Sequence, residues 1–141
     1  MSIRMPKPNT FKLLSDDSRV QIDRWIAKYP PDQKQSAVMA ALMIAQEANG
    51  GWLTTELMDA VADYLDMAPI AVYEVATFYS MYELKPVGQH KICLCTNISC
   101  MLCGSEDIAA HLQKKLGVDL GETTPDNQFT LKPVECLGAC G

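Results

Sequence analysis

Six cysteines lie between Cys93 and Cys140, in two clumps separated by a stretch with none: Cys93-Leu-Cys95-Thr-Asn-Ile-Ser-Cys100-Met-Leu-Cys103 and Cys136-Leu-Gly-Ala-Cys140. Two short loops that each offer spaced thiolates make a four-sulfur site, and a soft site of that kind selects zinc or an iron–sulfur cluster. Three groupings compete. Cys95-x4-Cys100 can join Cys136-x3-Cys140. Cys95-x4-Cys100-x2-Cys103 can join Cys136, which is plant-type ferredoxin spacing. Cys100-x2-Cys103 can join Cys136-x3-Cys140, a zinc-knuckle spacing. Spacing alone does not choose among them.

The elements that must carry these loops narrow the choice. Lys91 to Cys95 is a short apolar run that reads as a strand entering the first loop. Ser105 caps a helix to about Leu116, with Ile108, Ala109, Leu112 and Leu116 on one face, and Gly117 closes it. Phe129 to Val134 alternates like a second strand and delivers Cys136. Both loops therefore leave the C-terminal ends of strands, where open α/β sheets place their sites. Plant-type spacing belongs on a β-rich scaffold, and nothing in residues 1–88 supplies the strands. The zinc grouping leaves Cys95 idle at a strand end. The symmetric grouping of Cys95, Cys100, Cys136 and Cys140 is preferred on these grounds, with Cys93 and Cys103 as ordinary thiols. A dithiol reading of Cys100-Met-Leu-Cys103 explains two cysteines and ignores the second loop. Neither His90 nor His111 stands in a Cys-x-His pair, which argues against a Rieske centre.

Residues 1–14 read as an irregular, flexible N-terminal segment. Ser15 to Ser18 supply caps for a helix carrying Val20, Ile22, Trp25 and Ile26, which stops before Pro30-Pro31. Asp32 is the expected cap of a helix from Gln33 to Ala48, whose inner face is Val38, Ala41, Leu42 and Ala45. Asn49-Gly50-Gly51 ends it. A third helix is predicted from Thr54 to Leu65, with Leu57, Val61 and Tyr64 inward. A fourth is predicted from Pro69 to about Leu84, with Phe78 in the core and the placement of Tyr79 and Tyr82 open. Lys85-Pro86-Val87-Gly88 breaks the helical pattern and marks a domain boundary.

The chain has 141 residues, a hydrophobic fraction of 48% and a net charge of −5, with no basic block. Nucleic acid and anionic membrane are poor partners for such a surface. No apolar run is long enough to span a bilayer and the N-terminus lacks a signal-peptide core, so the expectation is a cytoplasmic protein without direct membrane insertion. Clustered cysteines there are metal ligands or catalytic thiols more often than disulfides.

With these residues in hand, the sequence resembles the family of thioredoxin-like [2Fe–2S] subunits of NADH:quinone oxidoreductase, respiratory complex I. The resemblance is carried by Asn49-Gly-Gly-Trp52, Val72-Tyr-Glu-Val-Ala-Thr-Phe-Tyr79, Lys85-Pro-Val-Gly88, Cys95-x4-Cys100, Gly121-Glu-Thr-Thr-Pro125 and Glu135-Cys-Leu-Gly-Ala-Cys140. It implies an α+β protein: a helical bundle over residues 15–85, then a thioredoxin-like [2Fe–2S] α/β domain over 86–141. It implies Cys95, Cys100, Cys136 and Cys140 as cluster ligands and no catalytic residue on this chain. It further implies that FMN and NADH belong to a partner flavin subunit and that the other neighbours are peripheral-arm subunits on the cytoplasmic side. NAD-linked hydrogenases and formate dehydrogenases use similar subunits. The family continues past the fourth ligand, whereas this sequence ends at Gly141, so the resemblance implies a domain truncated at its C-terminal edge. Small residues such as Gly138 are expected to let backbone N–H groups approach the sulfurs. Glu135, beside a ligand, is expected to lower the potential of the anionic site.

Overall fold

The computed structural model describes residues 10–139, which fall into two compact units divided between Pro86 and Val87. Residues 1–9, Cys140 and Gly141 lie outside the described residues.

The first unit is helical. Thr10–Leu13 make a 3-10 turn, and Leu14 after it is buried. Helix α1 (Asp16–Ile26) starts where the Ser15 Oγ accepts from the Ser18 N–H at 3.1 Å. Of its apolar residues, Ile22 is fully buried, whereas Val20 and Trp25 are exposed, Trp25 lying under the Lys28 ammonium. Helix α2 (Val38–Ala48) begins later than its pattern suggests, because Lys34–Ala37 form a 3-10 turn instead. Asp32 is not its cap; Gln33 precedes the 3-10 turn and makes no capping bond. The face of Val38, Ala41, Leu42 and Ala45 is buried as the helical period requires. Helix α3 (Thr55–Tyr64) is capped by Thr54, whose Oγ1 accepts from the Leu57 N–H.

Helix α4 (Pro69–Phe78) ends six residues before the predicted Leu84, and the reason is tertiary. Buried Gln46 on α2 donates from Nε2 to the Met81 carbonyl at 3.2 Å and accepts at Oε1 from the Glu83 N–H at 2.7 Å. The Leu53 N–H donates to the Glu83 carbonyl at 2.7 Å. These bonds hold residues 81–83 alongside α2 and the α2–α3 connection in place of a further helical turn. The aromatic stripe is rearranged in consequence. Phe78, predicted in the core, is 80% exposed, while Tyr82 is buried and donates its hydroxyl to the Met39 carbonyl at 2.9 Å. One core of Ile22, Leu42, Leu53, Val61, Leu65 and Val72 ties the four helices together.

The second unit mixes helix and strand. Strands β1 (His90–Cys95) and β2 (Phe129–Val134) pair in parallel, with His90 opposite Phe129 and Cys95 opposite Val134. Between them run α5 (Ile98–Leu102) and α6 (Ser105–Leu116). Parallel neighbours need such a crossover, and it leaves both strands pointing their C-terminal ends the same way. Residues 121–124 lie back along β2, with Gly121 N–H donating to the Leu131 carbonyl and Leu131 N–H to the Glu122 carbonyl. Gly88 enters where no side chain fits: an added Cβ would lie 2.8 Å from the Phe129 backbone, and its N–H donates to the Thr130 Oγ1. Helix α6 is capped by Gly104, at φ 92°, rather than by Ser105, which is its first residue and whose buried hydroxyl has no partner among the described residues. Ile108 is exposed and Ala109 buried on that helix, so its inner face is narrower than predicted. Gly117, at φ 69°, ends it as expected.

Candidate metal centre

The two cysteine loops meet at the C-terminal ends of β1 and β2. Cys95 is the last residue of β1 and is buried; its Sγ–H donates to the Glu135 carbonyl at 3.0 Å, which ties the end of one strand to the loop after the other. Cys136 follows β2 by two residues and is exposed. Cys100 lies in α5, an element that the hydrophobic pattern does not reveal. Five residues are too few to show a period, but Asn97 before them is a residue type that begins helices.

Cys95, Cys100 and Cys136 line one open cleft of about 270 Å³, together with Asn97, Ile98 and Ser99. Cys93, half-buried on β1, and Cys103, exposed at the end of α5, do not line it. Cys140, the fourth predicted ligand, lies outside the described residues. The cysteines described are all free thiols. Among the described residues no three His, Cys, Asp or Glu side chains are grouped to hold a single metal ion.

The second loop bends sharply to serve the cleft. Gly138 holds φ 63°, and its N–H donates to the Cys136 Sγ at 3.3 Å. A Cβ there would meet no described protein atom within 4 Å, so it is the left-handed backbone that glycine permits which brings the N–H to the sulfur. Among the described residues no lysine, arginine or carboxylate side chain lines the cleft. Soft sulfur donors, a backbone N–H aimed at one of them and a cleft shared by both loops suit an iron–sulfur cluster.

Sequence comparison agrees with that chemistry. Residues 22–141 match the model of the thioredoxin-like [2Fe-2S] ferredoxin family. The E subunit of the NADH-quinone oxidoreductase of Rickettsia felis is 52% identical over 115 residues, 82% of this chain and 69% of that protein. The E 2 subunit of the NADH-quinone oxidoreductase of Rhizobium meliloti is 48% identical over 122 residues, 86% of this chain and 71% of that protein. The mitochondrial NADH dehydrogenase [ubiquinone] flavoprotein 2 of Dictyostelium discoideum is 44% identical over 126 residues, 89% of this chain; the chain spans 51% of its length. The cofactor of the matching family is the [2Fe–2S] cluster its description names. A parallel β–α–β frame that brings cysteines from two loops to one cleft, and a family match over 22–141, have one common meaning: the chain belongs to the thioredoxin-like [2Fe–2S] ferredoxin family.

Proposed function

We propose that this chain is an electron-transfer subunit of NADH:quinone oxidoreductase, exchanging electrons with the FMN of a partner flavin subunit. The observation that carries the reading is the single cleft lined by Cys95, Cys100 and Cys136. Cys95, Cys100, Cys136 and Cys140 are the proposed ligands, two from each loop. When bound, a [2Fe–2S] cluster supplies one-electron redox chemistry. The chain's own residues supply the rest. β1 and β2 fix the loop origins, α5 presents Cys100, and the Gly138 N–H offsets negative charge on the Cys136 sulfur.

Residues 15–85 serve as a helical bundle domain and 86–141 as the thioredoxin-like ferredoxin domain. The sequence has no glycine-rich nucleotide loop, so NADH and FMN are assigned to the partner and the chain alone does not oxidise NADH. Among the described residues no helix is long and apolar enough to cross a membrane. The proposed place is the peripheral arm of the complex, on the cytoplasmic side, against the flavin subunit and other arm subunits. Relatives named as NADH-quinone oxidoreductase subunits favour this complex over related hydrogenases and formate dehydrogenases.

Iron, zinc and acid-labile sulfide in anaerobically purified protein test the cofactor. Equal iron and sulfide, about two of each per chain, are expected. Zinc without sulfide would overturn the reading. Cys95→Ser, Cys100→Ser, Cys136→Ser and Cys140→Ser should each lose the visible absorbance, while Cys93→Ser and Cys103→Ser keep it. Copurification with the flavin subunit tests the partner.

A further inference from the structure

The geometry points to Asn97 as the side-chain donor of the cysteine cleft: its carboxamide caps α5 through Oδ1 and offers Nδ2 to the anionic sulfur site, raising that site's reduction potential. The inference rests on the cluster reading above.

Helix α5 has no buried residue, so packing into a core does not hold it. A helix of five residues is far below the length that is stable alone. Its N-terminal end is held by Asn97 twice. The Ile98 N–H donates to the Asn97 Oδ1 at 2.8 Å, and the Met101 N–H donates to the Asn97 carbonyl at 2.8 Å. Cys100 rides on this turn, which makes Asn97 a positioning residue for a proposed ligand.

The cap also decides which end of the carboxamide is free. A backbone N–H can only donate, so the atom facing Ile98 must be the oxygen, and the other end is an NH₂ group with two donors. Among the described residues nothing accepts from that Nδ2. Asn97 is exposed and lines the cleft with Cys95, Cys100 and Cys136. Thiolate and sulfide are acceptors that gain negative charge on reduction. A donor beside them therefore favours the reduced form. Among the described residues no cationic side chain lines the cleft, so neutral donors carry that role. Ser99, the other polar lining residue, has a hydroxyl that rotates freely between donor and acceptor directions.

The test is a redox titration of the full chain, followed by electron paramagnetic resonance, for the parent, Asn97→Asp and Asn97→Ala, each assayed for iron and sulfide. Asp keeps a capping oxygen and exchanges the NH₂ for a charged oxygen; Ala removes cap and donor without adding charge. The expected result is a fall in both variants. It should be larger in N97D, at least a tenfold fall in the reduced-to-oxidised ratio at a fixed potential, or about 59 mV for one electron. Unchanged or raised midpoints overturn the proposal. A fall in N97D alone reports only added charge and also overturns it. Failure of both variants to bind iron and sulfide makes Asn97 a structural cap and overturns the tuning role. Absence of iron and sulfide from the parent overturns the cluster reading itself, a result distinct from the others.

Discussion

The Gly138 N–H donates to the Cys136 Sγ at 3.3 Å from a residue held at φ 63°. The bond exists only while the loop keeps that left-handed turn, which an L side chain opposes by about 1–2 kcal/mol. Because open space surrounds the missing Cβ, the cost of Gly138→Ala is one of backbone conformation, not of collision. G138A is expected to release iron faster to a chelator than the parent does. Gly138→Asn should fall between the two, since asparagine tolerates the left-handed region better than alanine. Equal release rates in all three would show that the turn does not matter to the site.

Glu135 touches one proposed ligand through its backbone and stands next to another. Its carbonyl accepts from the Cys95 thiol, and its side chain is exposed. Glu135→Gln keeps the carbonyl and removes the negative charge, so the reduced, more anionic site is stabilised. A raised midpoint in a redox titration is the expected outcome, weakened by added salt because the carboxylate faces solvent.

Gly88 tests the frame instead of the site. Its neighbours at the added Cβ position are Phe129 backbone atoms at 2.8 Å, and backbone in a paired strand cannot step aside. Gly88→Ala is expected to cost about 1–3 kcal/mol, as overpacking does elsewhere. The effect should appear as a lower urea midpoint for a probe in the β1–β2 unit, with the first unit little changed.

Gln46 is the buried polar residue that shapes the end of α4. Gln46→Leu leaves the Met81 carbonyl and the Glu83 N–H without their partner. Met81 is exposed and Glu83 half-buried, so water can reach the freed groups and each lost bond costs about 1 kcal/mol. A clear loss of helical stability in denaturant is expected, with faster amide exchange at Glu83.

Two phenols give the first unit a pH limit. Burial, with a hydrogen bond to Asp23 behind it, pushes Tyr64 from its ordinary 10.0 to about 12. The hydrogen bond to Asp59, with burial second, pushes Tyr73 to about 12. Both neutral forms are favoured by folding, so this stability is complete below pH 10 and is lost as pH rises through 12. An ultraviolet titration should show two phenols ionising late, together with alkaline unfolding of the helices. Asp59→Asn should bring Tyr73 back toward 10.0 and leave Tyr64 in place.

The parts of this protein legible in its sequence are those governed by near neighbours. Ser15 and Thr54 cap helices because a short side chain reaches an N–H three residues on. The α2 face follows from the period of the helix, and the β1 and β2 segments from apolar runs bounded by turn residues. The cysteine spacing by itself indicates a soft metal site on two loops, and the motifs around it indicate the family. Tertiary structure decided what depends on partners far along the chain. Gln46 ends α4 from more than thirty residues away, so Phe78 turns outward and Tyr82 inward, although both sit in one aromatic stripe. Only the parallel pairing of β1 with β2 brings Cys95 and Cys100 into one cleft with Cys136, because a strand pair aligns the ends of segments that the sequence keeps about forty residues apart.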